Sequence, residues 1–387
     1  MKLPGRWHHA ILLAYLVSGA ASARADTSPS GISWRVGAGS SYRTMGGIRF
    51  ETGSYSGSVT LPQLVPASSV NQPFGPETGF ADRTYGNGFV FQDINTANPG
   101  AILPGTTAFW GYTSNDQVQG GSLVFTGTGT RNVFSQTLAS AVSPSWKEDR
   151  EGSLTPSLDV TGMISLGKGW HLGASLGFMA PRMETGGSSV TFRGTQQTQQ
   201  FADTVTDTYA LQGVVPPQAP YTGVFNPAGP MPVIDNVPTS RVLVSTLTGT
   251  QTAVFSNETE ETLELDFYIF SLGPVIEYQR GPWTVGGSLG VAVNLVDWRA
   301  SFKETLTGTT GGAATTVGRW EDSHSDLDVL GGFYLQCQAA FAITPRVSIS
   351  TFGRHDWMSA LSARVGPSGF RAVLDGFTFG AALQLRF

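Results

Sequence analysis

The chain has 387 residues, 28 acidic against 23 basic for a formal net charge of −5, with 13% charged residues and 49 glycines. Soluble domains carry about 25% charged residues, so this chain lacks the usual means of covering a water-facing surface, and without a basic stripe nucleic acid is excluded as a partner. Its one cysteine, Cys337, rules out an intramolecular disulfide framework.

The first 25 residues read as an export signal. Lys2 and Arg6 precede a mostly apolar run from Ala10 to Ala21, and Ala23-Arg24-Ala25 gives a small-x-small cleavage pattern, so the mature chain begins at Asp26. The run is shorter than the roughly 20 residues a spanning helix needs.

The mature chain then repeats one pattern, apolar residues alternating with small or polar ones, which puts an oily face on one side of a strand. In the first strand, 32–52, Trp34, Val36, Ala38, Tyr42, Ile48 and Phe50 alternate with Arg35, Gly37, Gly39, Arg43 and Arg49. In 154–167 the apolar set is Leu154, Leu158, Val160, Ile164 and Leu166, and after Gly167-Lys168-Gly169 it restarts in 169–183 with Trp170, Leu172, Ala174, Leu176 and Phe178. Tyr268, Phe270, Leu272, Ile276 and Tyr278 in 263–280 run into the turn Arg280-Gly281-Pro282, and Trp283, Val285, Leu289, Val291, Val293 and Leu295 run out of it in 282–303. The strands 324–343 and 346–358 meet at Thr344-Pro345-Arg346, and 371–387 ends on Phe377, Phe379, Ala381, Leu383, Leu385 and Phe387. Pro156 and Pro274 interrupt two of these runs, and a bulge is the expected accommodation.

Short and long connections alternate. The turns at 167–170, 280–283 and 343–346 are tight, whereas 53–153, 184–262, 304–323 and 359–370 are long. The fold class expected is all-β: a transmembrane antiparallel β-barrel of eight strands (ten if the long loops hide a further hairpin), occupying 26–387, with tight turns in the periplasm and the four long segments as extracellular loops. In hydrocarbon every backbone N–H and C=O must be paired, so a spanning sheet must close. A Lys or Arg on the lipid face costs roughly 2–4 kcal/mol at midplane. None of the apolar sets named above contains one.

Trp34, Trp170, Tyr278, Trp283, Phe341 and Phe387 lie beside the tight turns or chain ends, as an interfacial girdle at the periplasmic side would. In this pattern the sequence resembles the small OmpA/OmpX-type barrels of bacterial outer membranes, whose final residue is typically phenylalanine. The resemblance implies that Phe387 is the mark read by the barrel-insertion machinery, and that outer-membrane lipid and lipopolysaccharide surround a monomer.

An eight-stranded barrel has an interior just wide enough to be filled by side chains. Inward parity places Arg35, Glu277 and Arg386 near the periplasmic end and Asp159, Arg354 and Asp356 further up, and these six are expected to pair across the lumen as a structural plug. The long loops carry "TAFWGYTSNDQ", where Phe109, Trp110 and Tyr112 form either a binding patch or a folding cluster, and "TQQTQQ" with a proline-rich run, expected to be extended or mobile. Acidic residues crowd two strand tops: Glu258, Glu260, Glu261, Glu264 and Asp266, then Glu321, Asp322, Asp326 and Asp328. Their spacing matches no EF-hand, so a solvated rim is expected, with no metal and no cofactor. His171, His324 and His355 are the mature chain's histidines, and no GxSxG or HExxH is present. The function expected is non-enzymatic: the barrel as anchor, the loops as a surface that binds an unidentified extracellular ligand. The alternatives are a narrow channel or transporter for small solutes and a hydrolase with a rim site near His324, Asp326 and Asp328.

Overall fold

The structure, a computed structural model, describes residues 31–93, 105–140, 147–148, 152–225 and 229–387. The expected export signal, 1–25, lies outside the described residues. The principal strands are β1 (Ile32–Thr44), β2 (Gly47–Glu51), β3 (Ser122–Ser140), β4 (Gly152–Gly167), β5 (Trp170–Met179), β6 (Arg182–Ser189), β7 (Phe192–Ala210), β8 (Ser240–Arg280), β9 (Trp283–Thr310), β10 (Ala313–Ala342), β11 (Val347–Met358), β12 (Leu361–Val365), β13 (Ser368–Val373) and β14 (Gly376–Arg386).

Eight of them form a closed circuit of antiparallel ladders. β1 pairs with β4, β4 with β5, β5 with β8, β8 with β9, β9 with β10, β10 with β11, β11 with β14, and β14 with β1. The seam is continuous: Val36 stands opposite Val160 on one side and Leu385 on the other. A sheet whose strands all have two neighbours has no edge. The three tight turns lie at one end of this ring, called the lower end below.

Neither proline needs a bulge. The β1–β4 register runs unchanged through Ser40 opposite Pro156. Across β8 and β9, Leu272 faces Val291 and Val275 faces Ser288, so the register is the same on both sides of Pro274 and the ladder skips that rung. Gly273 and Gly290 flank it, each lacking room for a Cβ because the opposing backbone comes so close.

Above the ring the chain departs from the expected loops. The segment 53–153 contains β3, 184–262 contains β6, β7 and the upper part of β8, 304–323 is the top of the β9–β10 hairpin, and 359–370 contains β12 and the start of β13. β8 is 41 residues long, β9 28 and β10 30. At ~3.3 Å per residue β8 extends roughly 135 Å. The β9–β10 hairpin turns on Gly311 (φ +57°) and Gly312 (φ +84°), two successive left-handed positions that only glycine adopts without strain. β7 and β3 do not enter the ring; they join the free side of upper β8, in the order β8–β7–β3.

The expected strands 32–52 and 371–387 are each broken, at Met45-Gly46 and at Leu374-Asp375. Here the chain leaves the ring wall, and β2 pairs with β13 and β13 with β12 in a separate small sheet. Ile48, Phe50, Leu361, Phe370 and Ala372 on that sheet pack against Leu263, Leu265, Phe267, Val296, Trp298 and Phe302 on β8 and β9. Each large aliphatic or phenylalanine side chain buried here contributes about 1.5–3 kcal/mol. A second core, built from Phe74, Tyr85, Trp110, Tyr112, Phe125 and Tyr209, closes the far tip of the upper sheet.

Candidate functional site

The most informative feature of the molecule is a height at which polarity reverses. On β9 the outward set runs Trp283, Val285, Gly287, Leu289, Val291, Val293 and Leu295, then Asp297, Arg299, Ser301 and Lys303. The inward set does the opposite: Thr284, Gly286, Ser288, Gly290, Ala292 and Asn294, then Val296, Trp298, Ala300 and Phe302. The outer faces of the neighbouring strands change at nearly the same level, since the register aligns Tyr268, Leu295 and Val329 in one row and Glu264, Arg299 and Ser325 two rungs higher; on β8 the inner face turns apolar as well, with Phe267, Leu265 and Leu263, whereas β10 carries Asp328 and Asp322 there. Below this level the described outward residues of the ring strands are mostly apolar, and none is Asp, Glu, Lys or Arg. Above it lie the ion pairs Arg182–Glu264 (3.3 Å), Arg299–Glu264 (3.7 Å) and Lys303–Glu260 (2.9 Å), exposed and individually worth little.

The acidic clusters read from sequence as one solvated rim are divided by this arrangement. Glu260, Glu264 and Asp266 take the outer face in ion pairs, whereas Glu261, Asp322 and Asp328 point inward, bonded to Thr52 Oγ1 (2.7 Å), Tyr55 Oη (2.7 Å) and Trp298 Nε1 (2.8 Å).

Inside the lower ring two layers of charge cross the lumen. In the lower layer, Arg35 on β1 forms an ion pair with Glu277 on β8, Nη1 to Oε2 at 3.1 Å, and Gln338 Nε2 donates to Glu277 at 2.5 Å. β1 and β8 are three places apart in the circuit, so the pair spans the interior. In the upper layer, Asp356 on β11 accepts from Arg354 Nε (2.9 Å) and Nη2 (2.6 Å) and pairs with Arg43 on β1. Arg354 also reaches across to Ser271 Oγ on β8 (2.9 Å) and lies 4.2 Å from the centre of the Tyr334 ring. Asp159 faces inward beside this network, directly opposite Gly37, where a Cβ would collide with its carboxylate. Between the layers a cavity of about 40 Å³ remains, lined by Asp159, Ser271, Tyr334 and Arg354, room for a few waters.

Two of the six expected network residues are placed differently. Arg386 stands opposite Arg35 at the lower end and makes no ion pair among the described residues, and Asp159 is held by neighbouring charge and Thr161 rather than by a direct ion pair. Arg43, which the sequence had placed at inward parity, is the missing partner of Asp356, and Gln338, Ser271 and Tyr334 complete the network. Parity alone assigns a face but neither height nor position around the ring.

Outward at the lower end, Trp170 packs at a tilt against Tyr278 with ring centres 5.1 Å apart and Trp283 edge-on against Phe341 at 4.9 Å, with Trp34 and Phe387 joined by backbone hydrogen bonds. Near the polarity switch a second aromatic set faces outward: Phe178 on Phe270 at 5.1 Å, Phe333, Trp357 and Phe377. His355 belongs to it, its ring 4.3 Å from both Trp357 and Phe377. His324 packs edge-on against Trp298 at 5.2 Å. Leu335 is the register partner of His355, ten residues along β10 from Ser325, so these groups do not converge.

No protein-family model matches the chain, and no curated protein matches it. Among solved structures it is similar to the outer membrane protease OmpT from Escherichia coli, at 8% identity over 94% of this chain and 99% of that one, with a TM-score of 0.26. It is also similar to a FadL homologue of Pseudomonas aeruginosa (13% identity, 92% and 90% covered, TM-score 0.16) and to the P. putida toluene transporter TodX (8%, 93% and 91%, 0.17). At these scores the chain's own pairing and packing must decide.

A buried carboxylate on upper β9 holds the segment that follows β2. Glu304 accepts from Ser54 Oγ (2.6 Å), Ser56 Oγ (2.5 Å), Asn257 Nδ2 (2.6 Å) and the Tyr55 N–H (2.6 Å). Burial pushes its carboxyl up, but these hydrogen bonds outweigh burial and hold it below the usual glutamate range. A depressed folded value means the contribution is complete above the unfolded pKa of about 4.3 and is lost as pH falls through the folded one. Glu304→Gln sets an NH₂ against donors and is expected to destabilise this junction by about 2–3 kcal/mol at pH 7. It should also remove the acid-side loss of stability just below about pH 4.3. Unfolding followed by tryptophan emission from pH 3 to 7 checks both; parallel curves for the two proteins would contradict the assignment.

At the tip, Trp110 and Tyr112 are buried and Trp110 Nε1 donates to Pro232 O at 2.9 Å, so they build a core rather than a binding patch. Asp207 there accepts from Arg241 Nε (2.6 Å) and Nη2 (2.5 Å) and from Tyr85 Oη (2.5 Å). Burial pushes the neighbouring Tyr209 hydroxyl up to about 12.

Proposed function

We propose that the chain is an eight-stranded transmembrane β-barrel of a bacterial outer membrane, with a closed lumen, and that it serves as a non-enzymatic anchor for the long β-sheet and folded tip it carries outward. The observation that supports this is the coincident reversal of polarity on β8 and β9, with the outer face of β10 turning polar at nearly the same level. A soluble protein has no reason to turn its apolar face outward below one level and inward above it, whereas a cylinder that crosses hydrocarbon and then emerges into water must. The apolar stretch on β9, from Trp283 to Leu295, is close to the 9–11 tilted residues a membrane strand needs. Two layers of paired charge and a cavity of 40 Å³ favour a plug over a channel. The surface available for recognition is the upper sheet and tip, since loops and projections on a rigid frame are where binding residues concentrate.

Topology can be tested with single cysteines in a Cys337→Ser background. Thr128→Cys, exposed on β3, should react on intact cells with a membrane-impermeant maleimide, and Arg346→Cys, in a tight turn, only after the outer membrane is permeabilised. Equal labelling of both positions would overturn the spanning arrangement, and the opposite pattern would invert it. The purified protein should show no steady openings in planar bilayers.

A further inference from the structure

We propose that the exposed face of the β2–β13–β12 sheet binds a phosphate-bearing glycolipid of the outer leaflet. This rests on the outer-membrane reading and assigns that reading a specific lipid contact. Arg49 on β2 and Arg371 on β13 are direct cross-strand partners, and Arg371 in turn faces Ser362 on β12. Lys147 occupies the register position on the other side of Arg49. Arg364 lies one rung away on β12, and Arg49, Glu51, Ser362, Arg364, Phe370 and Arg371 line a shallow depression on this face.

Like charges directly opposite each other on a sheet oppose folding. Among the described residues Arg49, Arg364 and Arg371 are exposed and form no ion pair, with Glu51 the one acid lining the depression. Among the described side chains of this face, three guanidiniums stand against one carboxylate. Planar guanidiniums held side by side suit the oxygens of a phosphate, which they engage by paired N–H donors.

Position selects the source of that phosphate. Arg49 lies five residues past Thr44, where β1 ends, and Arg371 five residues before Gly376, where β14 begins. At ~3.3 Å per residue both stand within roughly 17 Å of the ring's upper edge. The opposite face of the small sheet is buried against β8 and β9, so the arginines point away from the core, above the outward-facing Tyr42, Trp357 and Phe377. An anion carried at the top of an acyl-chain layer meets this face; the apolar residues below meet its chains.

The protein, purified in an uncharged detergent, is titrated with fluorescent bis-phosphorylated glycolipid in mixed micelles, with the same glycolipid dephosphorylated, and with inorganic phosphate as competitor. The phosphorylated form should bind at least about tenfold more tightly than the dephosphorylated one, a difference of about 1.4 kcal/mol. Arg49→Gln/Arg371→Gln should abolish that preference, and Arg364→Gln alone should reduce it. No preference in the unaltered protein, or a preference unchanged in both variants, overturns the proposal. Competition by inorganic phosphate at equal concentration overturns the lipid as the source. Heat-modifiable mobility on gels, measured on the same samples, reports the barrel separately, so loss of lipid binding with retained mobility leaves the spanning fold standing.

Discussion

Replacing Asp356 with alanine should prevent most of the protein from reaching its folded form. Asp356 is fully buried, and the guanidiniums it holds, Arg43 and Arg354, are 3% and 4% exposed. Removing one partner of a buried ion pair costs about 3–5 kcal/mol because the other charge remains without compensation. Here one substitution strands two cations from β1 and β11, while whole domains are stable by only about 5–15 kcal/mol. Arg354 keeps Ser271 Oγ, and Arg43 keeps Thr378 Oγ1 and the carbonyl of Leu374, which are acceptors without full charge. Asp356→Asn, which retains one carbonyl oxygen, should be milder than Asp356→Ala. Changing Asp356 together with Arg43 and Arg354 to apolar residues of similar size should recover much of the loss, since apolar replacements of buried ion networks are often neutral or better. The measurement is the urea midpoint in detergent, read by the mobility difference between folded and unfolded forms. If Asp356→Ala shifted that midpoint no more than an exposed substitution such as Thr128→Ala, the lumen charges would not be a plug.

What the sequence disclosed, and what it withheld, follows from how far each interaction reaches. Alternation is local, so the ring strands from Trp34 to Leu385 could be placed from side-chain parity, with tight turns where Gly167-Lys168-Gly169 and Thr344-Pro345-Arg346 stand. The reversal of polarity on β9 was also present: Asp297, Arg299 and Lys303 continue the same parity as Val293 and Leu295, while Trp298 and Phe302 continue that of Asn294. It is visible only when a strand is followed past the length a bilayer needs. The Gly311-Gly312 pair between alternating runs is likewise a hairpin signal, hidden by treating 304–323 as a loop. The upper strands were harder, because β3 and β7 are rich in Thr, Gly and Gln and carry few large apolar residues. Their order comes from long-range ladders and from contacts such as Gln196 Nε2 to Pro62 O (3.0 Å) and Thr198 Oγ1 to Pro66 O (2.5 Å), which span more than a hundred residues. The lumen partners fall between these cases. Parity put Arg35, Arg43, Glu277 and Asp356 inside, but which of them meet depends on stagger around the ring, a property of the closed circuit and not of any one strand.

A pair of arginine substitutions on one face of β9 should separate a membrane cylinder from a soluble one more sharply than any other change. Leu289 and Ser301 both point outward, six outward positions apart, one below and one above the polarity switch. Leu289 is 62% exposed in the isolated chain and stands opposite Leu335. For a protein surrounded by water, Leu289→Arg would be harmless, since an exposed leucine gains nothing there and a charge improves solubility. For one surrounded by acyl chains the same change places a guanidinium near midplane at a cost of roughly 2–4 kcal/mol. Ser301→Arg loses a hydrogen bond to Thr262 Oγ1 (2.6 Å) but enters a surface that already carries Arg299 and Lys303, so its expected cost is within about 1 kcal/mol in either setting. Folding into vesicles at graded urea concentrations, followed by mobility, gives both values on one scale. A Leu289→Arg protein that folds as readily as the Ser301→Arg protein would mean that no hydrocarbon surrounds the lower ring, and the orientation of every strand in it would need another cause.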